Sequence, residues 1–208
     1  GVMRRAFRAL GHDAWSCDTK PARDNSPYHF QDYVDFVLER GCTQWDLCIF
    51  HPPCTFLTVS AAWAYKDGPY HQKIKPGTLV GKERREAREQ ALDEIRYLMG
   101  CGTSYVIENP SPSFISTNIR KPSQVIQPYQ FGDDASKSTG LWMSNDLPLI
   151  QPTNFFPPRL VNGKPRWSNQ TDSGQNRLSP DQNRQRDRSE TYPGVAKAIA
   201  EQLTRHFT

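Results

Sequence analysis

The chain has no apolar run approaching the roughly 18 residues of a membrane span, and no signal-peptide pattern stands at its first residues. Hydrophobic residues are scarce, at 36% of 208 positions, and the mean hydropathy of −0.73 is that of a polar, loop-rich chain. Seventeen prolines against thirteen glycines agree with that reading. There is no C-x-x-C pair. The five cysteines, at positions 17, 42, 48, 54 and 101, are scattered and odd in number. That distribution argues against a zinc site or a disulfide framework, so no metal is expected. It suits a reducing cytoplasm, where a thiol stays usable. Internal repeats are also missing.

Charge is close to balance, with 26 Lys and Arg against 22 Asp and Glu, a formal +4. It is unevenly spread. Residues 63–90 and residues 151–192 each carry seven basic and four acidic side chains, so each segment is +3 and the rest of the chain is −2. Both lie outside the expected sheet. Basic segments of this kind point to a polyanionic partner, nucleic acid or nucleotide phosphate. An excess of this size is equally what solvated loops carry.

Apolar residues Val2, Met3, Ala6, Phe7 and Leu10 have helical spacing, and Gly11 stands where a cap belongs. Residues 14–17 read as a short strand ending at Asp18, residues 19–31 as loop, and 33–40 as a short helix stopped by Gly41. Trp45 to Phe50 is a strand without clean alternation, as for one buried on both faces. A long connection follows, with Gly68-Pro69 and Pro76-Gly77. It is expected to close over substrate and carry Lys66, Lys73 and Lys75 towards phosphate. Residues 82–99 form the clearest helix, with Ala87, Ala91, Leu92, Ile95, Leu98 and Met99 on one side. Strands are expected at 104–107 and 141–143, and Pro193 opens a final helix. The alternation predicts an α/β fold with helices on both faces of the sheet. One domain of residues 1–208 is expected, with 151–190 as a small basic, loop-rich segment.

In such a sheet, ligands sit outside the carboxyl ends of the strands. Asp18, Cys54 and Glu108 all fall just past predicted strands. Cys54 ends His51-Pro52-Pro53-Cys54 on a stiff approach, and a thiolate there is a competent nucleophile. Glu108, in Ile107-Glu108-Asn109-Pro110, places a carboxyl and an amide at the end of another strand. The pair suits attack on a pyrimidine: sulfur adds to C6, and the acid bonds the ring nitrogen and supports the charge that develops. Asn109 can orient a loop or bond the substrate. Asp18 has the place of an acid that bonds ribose hydroxyls, and Asp32 suits an adenine amino group. The plainer alternatives are a structural cysteine, a strand-ending turn, and surface or capping acids.

Taken in order, Cys17-Asp18, Gln31-Asp32, Pro52-Pro53-Cys54 and Ile107-Glu108-Asn109-Pro110 resemble the cytosine-C5 methyltransferases, most of all the short phage-type members. The resemblance continues through Gln127 to Gly132, Lys137 to Trp142, Leu147-Pro148, Pro152-Thr153 and Arg188 to Gly194, and so covers nearly the whole chain. It implies a Rossmann-like, three-layered S-adenosylmethionine fold and methyl transfer to cytosine C5 through a Cys54 adduct at C6. Glu108 would contact N3 and the exocyclic amine. Gly1, Asp18, Asp32 and Pro52 would hold the cofactor. Asn109, Thr139, Arg184, Arg186 and Arg188 would hold the substrate. Gln182-x-Arg184-x-Arg186 matches the family's Gln-x-Arg-x-Arg pattern, at a later place in the chain than expected. A target in duplex DNA would have to be flipped out.

Two departures qualify the match. The family opens with a strand and a glycine-rich turn around the methionine part of the cofactor. Gly1 stands at the last glycine of that turn, so the expected fold lacks, or does not show, its first strand. The longer members also carry a large target-recognition region, where this chain has only residues 151–190. Phe155, Phe156 and Trp167 are the candidates there for stacking on bases, and the target is open between DNA and a cytosine nucleotide. Two rival readings stand. An amino-methyltransferase also has Pro-Pro after this strand, but wants Asp, Asn or Ser before it and an aromatic after it, where this chain has His51 and Cys54. A catalytically impaired DNA- or nucleotide-binding protein would keep the fold without turnover.

Overall fold

The computed structural model describes residues 1–39, 44–71, 73–177 and 190–207. In chain order they form α1 (Val2–Ala9), β1 (Ser16–Asp18), β2 (His29–Gln31), α2 (Val34–Glu39), β3 (Leu47–Phe50), a 3-10 helix (Val59–Tyr65), α3 (Gly81–Met99), β4 (Ser104–Pro110), α4 (Phe114–Asn118), β5 (Gln124–Ile126), β6 (Thr139–Met143), β7 (Arg159–Val161), β8 (Lys164–Arg166) and α5 (Pro193–Phe207). The chain is mixed α/β, with one four-stranded sheet in the order β3-β4-β6-β5 and the two-stranded sheets β1-β2 and β7-β8. Its residues gather into two compact units, one of 1–44, 126–137 and 146–208, the other of 45–125 and 138–145.

In the second unit, β4 is an interior strand of the four-stranded sheet. It runs parallel to β3 from Leu47–Ser104 to Phe50–Ile107 and antiparallel to β6 from Val106–Met143 to Pro110–Thr139. The sheet is therefore mixed. The strand expected at 104–107 extends through Glu108 and Asn109 to Pro110, so both polar residues lie inside it rather than past its end. They stand opposite Leu141 and Gly140 of β6, and that pairing lets two unpromising β-formers occupy a strand. Every residue of β6 is buried. The Trp142 indole donates to the Arg120 carbonyl at 2.8 Å.

Helix α3 forms from the spacing the sequence predicts. Leu92, Ile95 and Leu98 are buried along one face, and removing each from water contributes about 1.5–3 kcal/mol. Arg84 continues that face and is also buried. The helix packs against the 3-10 helix and α4. The start of the long connection is anchored rather than open. Ala64 and Tyr65 are buried, and Arg85 donates to the Tyr65 carbonyl at 2.8 Å and to Asp67 at 3.1 Å.

In the first unit, β1 and β2 pair in parallel from Ser16–His29 to Asp18–Gln31. Residues 29–31 were expected as loop; a three-residue strand is too short to show alternation. Helix α1 packs on α5, which buries Val195, Ala196, Ala198, Ile199, Ala200 and Leu203. Arg4 of α1 is buried and donates to Ser16 Oγ at 2.7 Å and to the Asp24 carboxylate at 2.6 Å. Hydrogen bonds from Arg4, then Arg5, hold the Asp24 carboxyl well below the usual carboxylate range. Asp133 accepts from the Gly194 amide at 3.1 Å in the first turn of α5. A Cβ at Gly194 would run into the Phe131 carbonyl, so only glycine fits there. No helix among the described residues is long and apolar enough to cross a membrane.

Candidate active site

The site in the second unit grows from the end of the β3–β4 ladder. Phe50, the last residue of β3, lies opposite Ile107. Beyond it Pro52 and Pro53 have no N–H, so a backbone ladder cannot continue. Side chains take over in the same register. His51 Nδ1 lies 3.3 Å from Glu108 Oε2. Asn109 Nδ2 donates to the Pro52 carbonyl at 3.2 Å, across the same offset of 57 residues as the ladder. Two consecutive residues of β4 thus grip two consecutive residues of the segment that leads to Cys54.

The two β4 residues are withdrawn from water, while His51 is exposed. The Glu108 side chain is 7% exposed and that of His51 39%. A carboxylate buried to that degree needs polar partners, and His51 is one of them. Asn109 is buried, and its Oδ1 has no hydrogen-bond partner among the described residues. An unsatisfied buried acceptor costs about 1–3 kcal/mol.

The turn that carries Cys54 is held at four successive carbonyls. That of Cys54 accepts from the amides of Leu57 at 3.1 Å and Thr58 at 3.0 Å. Thr55 O accepts from Arg84 Nη2 at 3.3 Å, and Phe56 O from the Tyr65 hydroxyl at 2.8 Å. Leu57 O accepts from the Phe114 amide at 2.7 Å and Ser113 Oγ at 3.0 Å. Arg84 also donates to Leu79 O at 3.3 Å and lies over the Tyr65 ring at 4.7 Å. The Cys54 thiol is free and half-buried. A thiol on a braced turn is a group able to add to an electrophilic ring, and the buried carboxyl and amide stand on the adjoining strand β4.

The remaining predicted residues are placed as follows. Thr139 is buried in β6, paired with Pro110. Asp18 ends β1, and its carbonyl accepts from the Asp32 amide at 3.1 Å. The two acids therefore sit together at the carboxyl ends of two parallel strands in the first unit. The Asp18 carboxylate accepts from the Lys20 amide at 2.9 Å, and that of Asp32 from the Tyr33 amide at 2.8 Å. Gly1 is exposed and precedes α1. Arg184, Arg186 and Arg188 lie outside the described residues.

In the basic segment, Phe156, Pro157, Arg159, Arg166 and Arg177 line a cleft of about 510 Å³. Phe155 is exposed. Trp167 is buried, stacked on Tyr129 with centroids 4.2 Å apart, and its indole donates to Phe156 O at 3.2 Å. It is therefore a packing residue of the first unit and not a free platform for a base. Among the described residues no group of three or more His, Cys, Asp or Glu could hold a metal ion.

Sequence reasoning treated His51 only as the residue before Pro-Pro, and it missed Arg84. Position 51 offered only an imidazole directly before Pro52-Pro53, since its partner is set by the pairing of β3 with β4. Arg84 had a weaker signal, its place on the apolar face of α3. No family model, curated protein or solved structure matches the chain.

Proposed function

We propose that the chain transfers a methyl group to C5 of cytosine, in DNA or in a cytosine nucleotide, with Cys54 as nucleophile and Glu108 as the acid. The observation that carries this is the side-chain continuation of the β3–β4 register, His51 to Glu108 and Asn109 to Pro52. It links the strand bearing the acid to the segment bearing the sulfur. The fold assigned with it is Rossmann-like. The compartment is a reducing cytoplasm, that of a host if the chain is phage-encoded.

In this reading Cys54 Sγ bonds C6 as the C5–C6 π electrons move to C5. Glu108 hydrogen-bonds N3 and the exocyclic amine, stabilising the charge that reaches the ring. C5 takes the methyl group. Loss of the C5 proton to a base and departure of Sγ restore the double bond. The braced turn at 54–57 keeps the sulfur from having to be organised during the reaction. S-adenosylmethionine, when bound, supplies an activated methyl group. Asp18 and Asp32, joined by a backbone hydrogen bond at the ends of parallel strands, suit its ribose hydroxyls and adenine amine, with Gly1 and Pro52 as further cofactor contacts. Thr139, Arg184, Arg186 and Arg188 are the proposed substrate contacts beside Asn109.

The test is incubation with methyl-labelled S-adenosylmethionine and either cytosine-containing DNA or dCMP. Label at C5, abolished in Cys54→Ala, is expected. Label on an exocyclic nitrogen, or binding without any label transfer, would overturn the reading.

A further inference from the structure

We propose that the cleft beside the β7–β8 hairpin holds single-stranded DNA, with backbone phosphate on its arginines and an unpaired base against Phe156. The choice of DNA over RNA rests on the reading above; the rest stands on the cleft itself.

The hairpin sets up the charge. Asn162 and Gly163 turn at φ 51° and 72°, the left-handed pair that suits a two-residue loop. The register that follows places Arg159 opposite Arg166. Like charges directly opposite on a strand pair are destabilising. Asp172 answers one of them, accepting from Arg159 Nη1 at 2.7 Å. Arg166 is held differently. Its Nε donates to the Asp172 carbonyl at 3.1 Å and its Nη1 to the Pro165 carbonyl at 2.8 Å. Its guanidinium lies against Gly174, where a Cβ would stand 3.1 Å from Cζ. Carbonyl oxygens orient a guanidinium without neutralising it, so Arg166 is fixed in place and keeps its charge.

Arg177 lines the same cleft and is exposed. Among the described residues it is bonded through its backbone amide, to Asn169 O at 2.9 Å, and not through its guanidinium. Asp134 also lines the cleft, with its carboxylate accepting from the Ser168 amide at 2.9 Å. Phe156 supplies the ring. Its amide donates to Tyr129 O at 2.7 Å and its carbonyl accepts from the Trp167 indole at 3.2 Å, so the backbone under the ring is held from both sides. Guanidinium groups that fork onto phosphate, beside an aromatic face, are the chemistry that grips an unpaired strand. A duplex hides its base faces in the stack. A free nucleotide offers the arginines a single phosphate, whereas a strand offers one at every residue.

The test is fluorescence anisotropy with a labelled oligothymidylate of about 12 nucleotides, which contains no cytosine. The full chain should bind it about tenfold more tightly than a dA–dT duplex of the same length. Arg177→Gln should weaken binding and lower the slope of log affinity against log salt by about 0.7, the share of one phosphate contact on a single strand. That side chain is exposed, so its loss leaves the fold intact. Phe156→Leu should weaken binding by about tenfold with the slope unchanged. Arg96→Gln, which removes an exposed charge paired with Asp93 on α3, should alter neither. Equal affinity for strand and duplex, wild-type affinity in both Arg177→Gln and Phe156→Leu, or an equal loss in Arg96→Gln would each overturn the proposal. Tighter binding of oligouridylate would overturn the choice of DNA. The readout needs no turnover. Binding that follows these variants, without label at any cytosine, keeps the cleft and sinks the methyl-transfer reading; label at C5 without oligothymidylate binding does the reverse.

Discussion

Asn109 reaches past the end of β3 to hold the carbonyl of Pro52, 3.2 Å from its Nδ2. The bond does for the proline segment what a backbone N–H would do in an ordinary ladder. It also explains why a polar residue occupies a buried place in a strand whose other side is closed by β6. Asn109→Ala removes one hydrogen bond, worth about 1 kcal/mol net, but also the unsatisfied Oδ1, so stability should change by no more than about 1 kcal/mol. It should also slow the proposed methyl transfer by about tenfold, because the spacer before Cys54 loses its anchor. Thermal unfolding and single-turnover kinetics check the two effects separately, and unchanged kinetics would remove Asn109 from the site.

Arg84 serves the same turn from the helix side. Its two Nη groups reach Leu79 O and Thr55 O, both at 3.3 Å, while the guanidinium lies over Tyr65. A lysine presents a single point donor and cannot span both carbonyls while stacking. Arg84→Lys is therefore expected to lower kcat by about tenfold, with little change in substrate affinity. Iodoacetamide labelling should show an altered rate at Cys54. A variant with wild-type turnover and labelling would show that the turn holds itself.

Gly194 is predicted to be intolerant of any side chain. A Cβ there meets the Phe131 carbonyl, and moving that carbonyl would also disturb the Asp133 bond to the Gly194 amide. Gly194→Ala should cost about 1–3 kcal/mol through overpacking. Denaturant unfolding reads this directly; a variant as stable as the parent would mean that the first turn of α5 shifts freely.

Asp24 sets part of the acid sensitivity. Its folded carboxyl titrates well below the ordinary 3.8, chiefly through hydrogen bonds from Arg4 and then Arg5. A carboxyl depressed in the folded state contributes stability that is present above its unfolded pKa and is lost as the pH falls below it. Asp24→Asn should thus be less stable than the parent at pH 7, with the gap narrowing below about pH 4. Urea midpoints at pH 7, 5 and 3 test the sign. A gap that stays constant to pH 3 would show that Asp24 does not titrate with folding.

The helices were the most legible part of the chain. Val2–Ala9, Gly81–Met99 and Pro193–Phe207 each repeat apolar residues at a period that only a helix satisfies. Strands β2 and β5, three residues apiece, were invisible because so short a run has no period. The extension of β4 through Glu108 and Asn109 was hidden for another reason. Neither residue favours a strand, and what keeps them there is β6, about 30 residues further on. Trp167 was misread for want of its partner Tyr129, whose ring covers it.

For the candidate site, local order alone singled out Cys54, Glu108 and Asn109. Stiff prolines before a thiol, and an acid and an amide closing an apolar run, are properties of neighbouring residues, and a linear text records neighbours. Folding decided the rest: that His51 belongs with Glu108, that Asn109 spans to Pro52, and that a buried arginine braces Thr55. Those contacts join positions dozens of residues apart, and their register is set by which strands pair, which is a property of the whole sheet rather than of any segment within it.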